Sequence, residues 1–227
     1  MREITFEQVR QGLCHWHEIA KSVEKTDFLF KHYFRFEIDS QWFNEIESDQ
    51  YLKVYFGYKQ KEINKTQMIE EIVKNLFVVI IPDSLDKQEH YQGDKLPEQV
   101  LSFSAVYCPS IGSNEISNEE ALQRINNWND HDKRNHTISQ LESAPLLFQI
   151  PTANVRSDSK MNHLYLGLVD SFKQAQNNDF HFDLIVEQVK EQKSENRSFY
   201  DTARPVPPFK PTIMDNGLYK YLELERY

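Results

Sequence analysis

The segment CHWHE, residues 14–18, places two of the chain's eight histidines on either side of a tryptophan. Imidazole binds zinc and titrates near neutral pH, so His15 and His17 suggest a metal or acid/base site. Residues two apart on a helix, however, lie about 200° apart around its axis, so a regular helix does not aim both rings at one ion. The segment therefore predicts a buried tryptophan flanked by polar residues, and no metal.

A second group of ionisable residues lies at DHDKRNH, residues 130–136. Asp130 and His131 are candidates for a carboxylate-tuned catalytic histidine, and His17 is a third candidate for catalysis. The sequence offers no nucleophile and no metal-ligand spacing beside them. A solvated helix end followed by a loop is therefore the favoured interpretation of this segment.

Two tyrosine–glycine pairs are candidates for binding. Tyr55 with Gly57, and Tyr165 with Gly167, fall on one side of two predicted strands. A glycine inside a strand often marks a bulge or the close approach of another group. Packing of the two tyrosines in a core, or between lobes, is favoured over a role as catalytic acids.

The motifs of common cofactor enzymes are absent from the sequence. Its six glycines form neither a dinucleotide-binding fingerprint nor a phosphate-binding loop nor a nucleophile elbow, and zinc-protease and zinc-ribbon spacings are missing. The sequence thus indicates no cofactor.

An internal repeat is visible along the chain. The segment ITFEQVRQGLCHW (4–16) aligns with ISNEEALQRINNW (116–128), with four identities where about one is expected from average residue usage. The same offset of 112 aligns residues 36–38 with 148–150, and an offset of 110 aligns 54–57 with 164–167. This order predicts a duplication in which His15 and His17 correspond to Asn127 and Asn129.

The repeat positions the candidate residues on predicted elements. Thr5 with Gln8, and Ser117 with Glu120, form capping boxes, so a helix is expected to begin at each and to turn Trp16 or Trp128 towards the core. Alternating apolar residues then predict strands, for example at 32–39, 51–59 and 180–186, with a short helix at 41–46. The unbroken apolar run at 76–82 predicts an interior strand that is covered on both faces. The predicted fold is α+β, in which two degenerate copies (helix, strand, short helix, strand, strand) form a pseudo-symmetric pair.

Four segments follow from this interpretation. The first copy covers residues 1–83, a structured connector with one strand at 101–107 covers 84–113, the second copy covers 114–190, and a proline-containing tail covers 191–227. The prolines of the tail favour an extended path.

Composition excludes several classes of function. With 39% hydrophobic and 13% aromatic residues the chain can bury a sizeable core, while a net charge of −9 disfavours nucleic acid and anionic membranes as partners. The amino terminus lacks a signal-like pattern, and the longest apolar run, LFVVII at 76–81, is too short to span a bilayer. These features predict a cytoplasmic location.

The order of short motifs resembles that of small uncharacterised proteins of Bacteroidota. The shared order is Ile-Ser/Thr-x-x-x-Ala/Val, then Trp, then Phe-x-Ile, then Tyr-x-Gly, and here it occurs in both copies. The resemblance implies no known activity or catalytic residues.

The sequence favours a non-catalytic protein-binding or scaffold module with a protein partner, because a duplicated unit without paired reactive side chains is better suited to a surface than to an active site. The alternative is a hydrolase-type enzyme whose site lies in the seam between the two copies, where pockets commonly form. The sequence fixes neither the ligand nor the oligomeric state.

Overall fold

The computed structural model describes residues 4–40, 50–87, 100–109, 118–155, 161–170, 180–189, 198–200 and 204–205. The helices are α1 (Phe6–Ala20), α2 (Val23–Phe30), α3 (Ile69–Lys74), α4 (Glu119–Asn129) and α5 (His131–Leu141). The strands are β1 (Phe34–Asp39), β2 (Tyr51–Tyr58), β3 (Leu76–Pro82), β4 (Leu101–Tyr107), β5 (Leu147–Pro151), β6 (Met161–Asp170), β7 (Phe180–Val189), β8 (Ser198–Tyr200) and β9 (Arg204–Pro205). The fold is α+β, which confirms the predicted class. The short helix expected at 41–46 lies outside the described residues.

The strands of the described residues form one sheet in the order β8-β7-β6-β1-β4-β3-β2-β5-β9, and all the neighbouring pairs are antiparallel. β4, the strand expected in the connector, pairs with both β1 and β3. β1 also pairs with β6, and β5 pairs with β2. The strands of the first half and the connector, β1 to β4, therefore form a central block, and later strands of the chain flank it on both sides.

The first helix begins as predicted. The Thr5 hydroxyl accepts a hydrogen bond from the Gln8 N–H, and the Gln8 side chain accepts one from the Thr5 N–H. Trp16 is fully buried and donates its indole N–H to the Pro145 carbonyl at 2.9 Å. The capping box and the burial of this tryptophan are confirmed.

The second predicted capping box is wrong in detail. Asn118, rather than Ser117, caps α4, since its side chain accepts from the Ala121 N–H at 2.9 Å. Trp128 at the far end of α4 is buried, as predicted. Trp16 and Trp128 both pack on Phe30, with ring centroids 5.7 and 4.7 Å away, so they belong to one core.

Three helices, α2, α3 and α5, were absent from the predicted order. Ser22 caps α2 by accepting from the Lys25 N–H, and Asp130 caps α5 by accepting from the N–H groups of Asp132 and Lys133. Residues 131–141 are therefore helical, and the loop predicted for the DHDKRNH segment is wrong.

The Phe77 ring joins α1 to the β2–β3 hairpin. Gly57 lies directly opposite Phe77 across the two strands. A Cβ atom on Gly57 would lie within 2.8 Å of three carbons of the Phe77 ring, and one on Gly12 of α1 would lie within 2.6 Å of two carbons of the same ring. The two glycines thus make room for one buried ring between helix and sheet.

None of the helices described is long and apolar enough to cross a membrane.

Candidate functional site

A groove of about 820 Å³ lies beside α1 on one side of the sheet. Its wall carries Ile4, Gln8 and Gln11, and its floor comes from neighbouring strands. The floor and rim residues are Glu37, Asp39, Lys59, Phe77, Ser102, Phe103, Ser104 and Met161. Because β1, β3 and β4 belong to the first half and connector and β6 to the second half, the groove crosses the boundary between the halves.

Polar side chains of the groove are held by hydrogen bonds. Glu37 accepts two hydrogen bonds from Arg35, at 3.0 and 2.8 Å. Lys59 donates to the Ser104 hydroxyl at 2.6 Å and to the Lys74 carbonyl at 3.0 Å. Burial alone lowers the pKa of Arg35, but the hydrogen bond to Glu37 and the nearby ionisable groups of Tyr165, Cys108 and Glu37 together outweigh burial, and the pKa rises above its ordinary value. The Arg35 guanidinium therefore stays charged, and it lies 2.8 Å from the Glu37 carboxylate.

A buried acid/base cluster adjoins the groove at the β1–β6 pair. Glu37 and His163 are directly opposite each other in this pair, as are Asp39 and Met161. His163 Nδ1 lies 3.0 Å from Glu187 Oε2, and the Glu187 side chain is fully buried. We call His163, Tyr165 and Glu187 the Glu187 cluster; it borders the groove through Glu37 and Met161.

The Tyr165 hydroxyl is a hydrogen-bond donor within the Glu187 cluster. Its hydroxyl donates to Glu187 Oε2 at 2.9 Å. Burial, and then the negative charge of Glu187, raise the pKa of Tyr165 well above its ordinary value. Tyr165 therefore remains a hydrogen-bond donor at any physiological pH.

A second buried tyrosine has a similar arrangement. Tyr55 donates to Asp86 Oδ2 at 2.5 Å, and Lys53 Nζ lies 2.7 Å from the same oxygen. Burial lowers the pKa of Lys53, but the charge of Asp86 and the hydrogen bond to it raise the pKa above its ordinary value. Lys53 thus stays charged and compensates the buried carboxylate.

The four binding candidates from the sequence are all in the interior. Tyr55 and Tyr165 are 0% and 1% exposed, and each donates to a buried carboxylate. Gly57 accommodates Phe77, and Gly167 lies opposite Asp183, where an added Cβ would meet Ile185 and Arg124. The close approach predicted at both glycines is present, and the approaching groups belong to the chain itself.

The catalytic candidates of the sequence lie on the helices. His131 Nδ1 is 2.7 Å from Asp27 Oδ1, and the buried Arg134 donates to the same oxygen at 2.6 Å. Burial raises the pKa of Asp27, but the hydrogen bonds from Arg134 and His131 lower it below its usual value. Asp130 caps α5, and His17 lies half-buried in the last turn of α1. His131 thus belongs to an ion-pair group that joins α2 to α5.

Within the described part of the chain, no group of three or more His, Cys, Asp or Glu side chains is arranged to hold a metal ion.

The sequence interpretation named Tyr165 as a binding candidate, but it missed the residues of the groove and the other two members of the cluster, His163 and Glu187. Alternation along β6 places His163 and Tyr165 on one side, and that signal was available. Glu187 lies 24 residues further on, and only the β6–β7 register brings it opposite His163.

No protein-family model matches the chain, and no curated protein or solved structure does either. The resemblance to proteins of Bacteroidota therefore stays a prediction.

Proposed function

We propose that this chain is a non-catalytic protein-binding module that holds a polypeptide segment of its partner in the groove beside α1. The observation that carries the proposal is the groove itself, whose volume of about 820 Å³ is within the range of ligand-binding clefts. Its lining combines hydrogen-bonding side chains with apolar ones, a composition suited to an extended backbone and its side chains.

The net charge of the chain favours a partner segment that carries Lys or Arg. Two acidic residues of β1, Glu37 and Asp39, line the floor of the groove, and Glu37 is already paired with Arg35. The amine of Lys59, the basic residue at the rim, is engaged by Ser104 and the Lys74 carbonyl. With a chain charge of −9, long-range attraction also favours a basic segment.

Position-resolved photo-crosslinking tests this proposal. p-Benzoylphenylalanine is placed singly at Gln11 or Ser102, which line the groove, and at Glu70 or Ser139, exposed controls on α3 and α5. In cells that make the protein naturally, both groove positions are expected to crosslink to the same protein and both controls are not. The yield is expected to fall with added salt. Equal crosslinking at all four positions, or none at the groove positions, contradicts the proposal.

The second candidate is a hydrolase-type enzyme, and the Glu187 cluster is the observation that favours it. When His163 Nδ1 donates its proton to Glu187, the neutral ring carries its lone pair on Nε2. That nitrogen is then able to take a proton from a water molecule that attacks a carbonyl carbon, and to return it to the departing alcohol or amine.

A matched pair of histidine variants separates the two candidates. His163→Asn removes the proposed base, whereas His181→Asn changes an exposed histidine on the neighbouring strand. If the enzyme candidate is right, hydrolysis of a panel of esters and amides falls by a factor of roughly 10² to 10⁴ in His163→Asn and is unchanged in His181→Asn. Parent protein without hydrolytic activity, or equal rates in both variants, eliminates the enzyme and leaves the binding proposal standing.

A further inference from the structure

The strands that cross between the two halves do so with matching registers. Phe36 of β1 lies opposite Leu164 of β6, and Phe148 of β5 lies opposite Val54 of β2. Phe36 and Phe148 are 112 residues apart, and Val54 and Leu164 are 110 apart, which are the offsets of the sequence repeat. The first strand of each half, β1 or β5, therefore pairs with a strand of the other half, β6 or β2, at positions that correspond in the repeat.

The contact between helix and hairpin also has corresponding positions in the two halves. In the second half, Gly167 of β6 lies opposite Asp183 of β7, as Gly57 lies opposite Phe77 in the first. Arg124 of α4 reaches Asp183 at 3.0 Å, and its Cβ lies 3.3 Å from a Cβ built on Gly167.

Arg124 is 112 residues after Gly12, the glycine that faces the Phe77 ring. In the first half, the large Phe77 ring of β3 packs against the glycine of α1. At the corresponding place in the second half, the large Arg124 side chain of α4 contacts the smaller Asp183 of β7.

Buried tyrosines provide a third correspondence. Tyr55 and Tyr165 are 110 residues apart, and each donates its hydroxyl to a buried carboxylate, Asp86 in one half and Glu187 in the other. A basic residue two positions earlier, Lys53 or His163, lies against the same carboxylate.

We propose that residues 4–82 and 118–189 are two copies of one strand-exchanging unit, and that the surface between them is of the kind that joins two identical subunits. The partner that each half fits is then a second copy of that half. The β1–β6 and β5–β2 pairs are the two ends of this interface, and the groove lies at one of them.

Transplanting the contact of the first half into the second tests the proposal in the full-length chain. Arg124→Gly alone leaves the buried Asp183 without its arginine, and Asp183→Phe alone places a ring against the Arg124 side chain, so each lowers the urea midpoint of unfolding. The double variant recreates a ring between two glycines and is expected to recover at least half of the midpoint lost by the worse single variant.

Two further measurements make the outcome decisive. The reverse exchange, Gly12→Arg with Phe77→Asp, is expected to recover in the same way. The control is the exchange Arg134→Gly with Asp27→Phe at the Arg134–Asp27 ion pair. Within the described residues no glycine faces that pair, so the double variant is expected to show no recovery. The proposal is overturned if, in both halves, the stability loss of the double variant equals the sum of the losses of its two single variants. Equal recovery in the Arg134–Asp27 control also overturns it.

Discussion

Replacing Gly57 by Ala is expected to destabilise the protein by about 2.5 kcal/mol. Gly57 has ordinary extended backbone, where alanine would normally gain about 0.5 kcal/mol through the unfolded state. The added methyl, however, lies within 2.8 Å of three carbons of the buried Phe77 ring, and Gly12 closes the other side of that ring. Because the ring has nowhere to move, the overpacking cost should reach the upper end of its usual range, about 3 kcal/mol.

Urea unfolding, monitored by tryptophan fluorescence, measures this loss of stability. Two further variants test whether the clash with Phe77 causes it. Phe77→Ala should cost about 3–5 kcal/mol, and adding Gly57→Ala to it should then cost nothing, because the clashing ring is gone. Gly167→Ala is the matched control and should cost about 1 kcal/mol or less, since its nearest neighbour is the flexible Ile185 Cδ1 at 2.9 Å. A Gly57→Ala loss below about 0.5 kcal/mol, or one that persists in the Phe77→Ala background, refutes the reasoning.

Three other outcomes are expected. Trp16→Ala and Trp128→Ala should each cost about 3–5 kcal/mol in chemical unfolding, because both rings are buried in one core, and a loss below about 1 kcal/mol contradicts this. Folding favours the ionised form of Asp27, so its contribution to stability is present above the unfolded pKa near 3.8 and is lost as the pH falls through the lower folded pKa. Asp27→Asn should therefore flatten the dependence of stability on pH below about pH 4. If that dependence is unchanged in the variant, the role assigned to the ion-pair group is wrong. Replacing His15 and His17 together by Asn should change stability by no more than about 1 kcal/mol and leave metal content unchanged, which elemental analysis checks; zinc lost from the variant reverses that interpretation.

Local signals accounted for strands β1 to β7 and for the first helix, but not for β8 and β9. Three local patterns have one physical interpretation each: the capping box at Thr5, the unbroken apolar run at 76–82 and the alternation at 51–58. The helix or strand that each pattern predicts is present at those residues. In α5 the sequence is polar throughout its first turns, so an apolar stripe was missing. Its Arg134 is buried by an ion pair with Asp27, 107 residues away, and no local pattern contains that information.

The candidate site depended on pairings across the sheet. The side chains of β1 alternate between the interior and the groove, so Glu37 and Asp39 were predictable as neighbours on one face. Their position beside His163 was not, because it depends on a pairing with a strand more than 120 residues later. Asp86 and Glu187 were missed for the same reason, since the tyrosines they bind lie 31 and 22 residues away along the chain.

The pairing of β1 with β6 determines when the sheet can be completed during synthesis. Phe36 and Leu164 are 128 residues apart, so at a translation rate of about 5–20 residues per second the partner strand follows after ~10 s. Until then one edge of β1 has unpaired N–H and C=O groups, and such an edge pairs readily with other chains. The nascent chain therefore passes through a window in which its first half is open to aggregation, and the window closes only when the second half arrives.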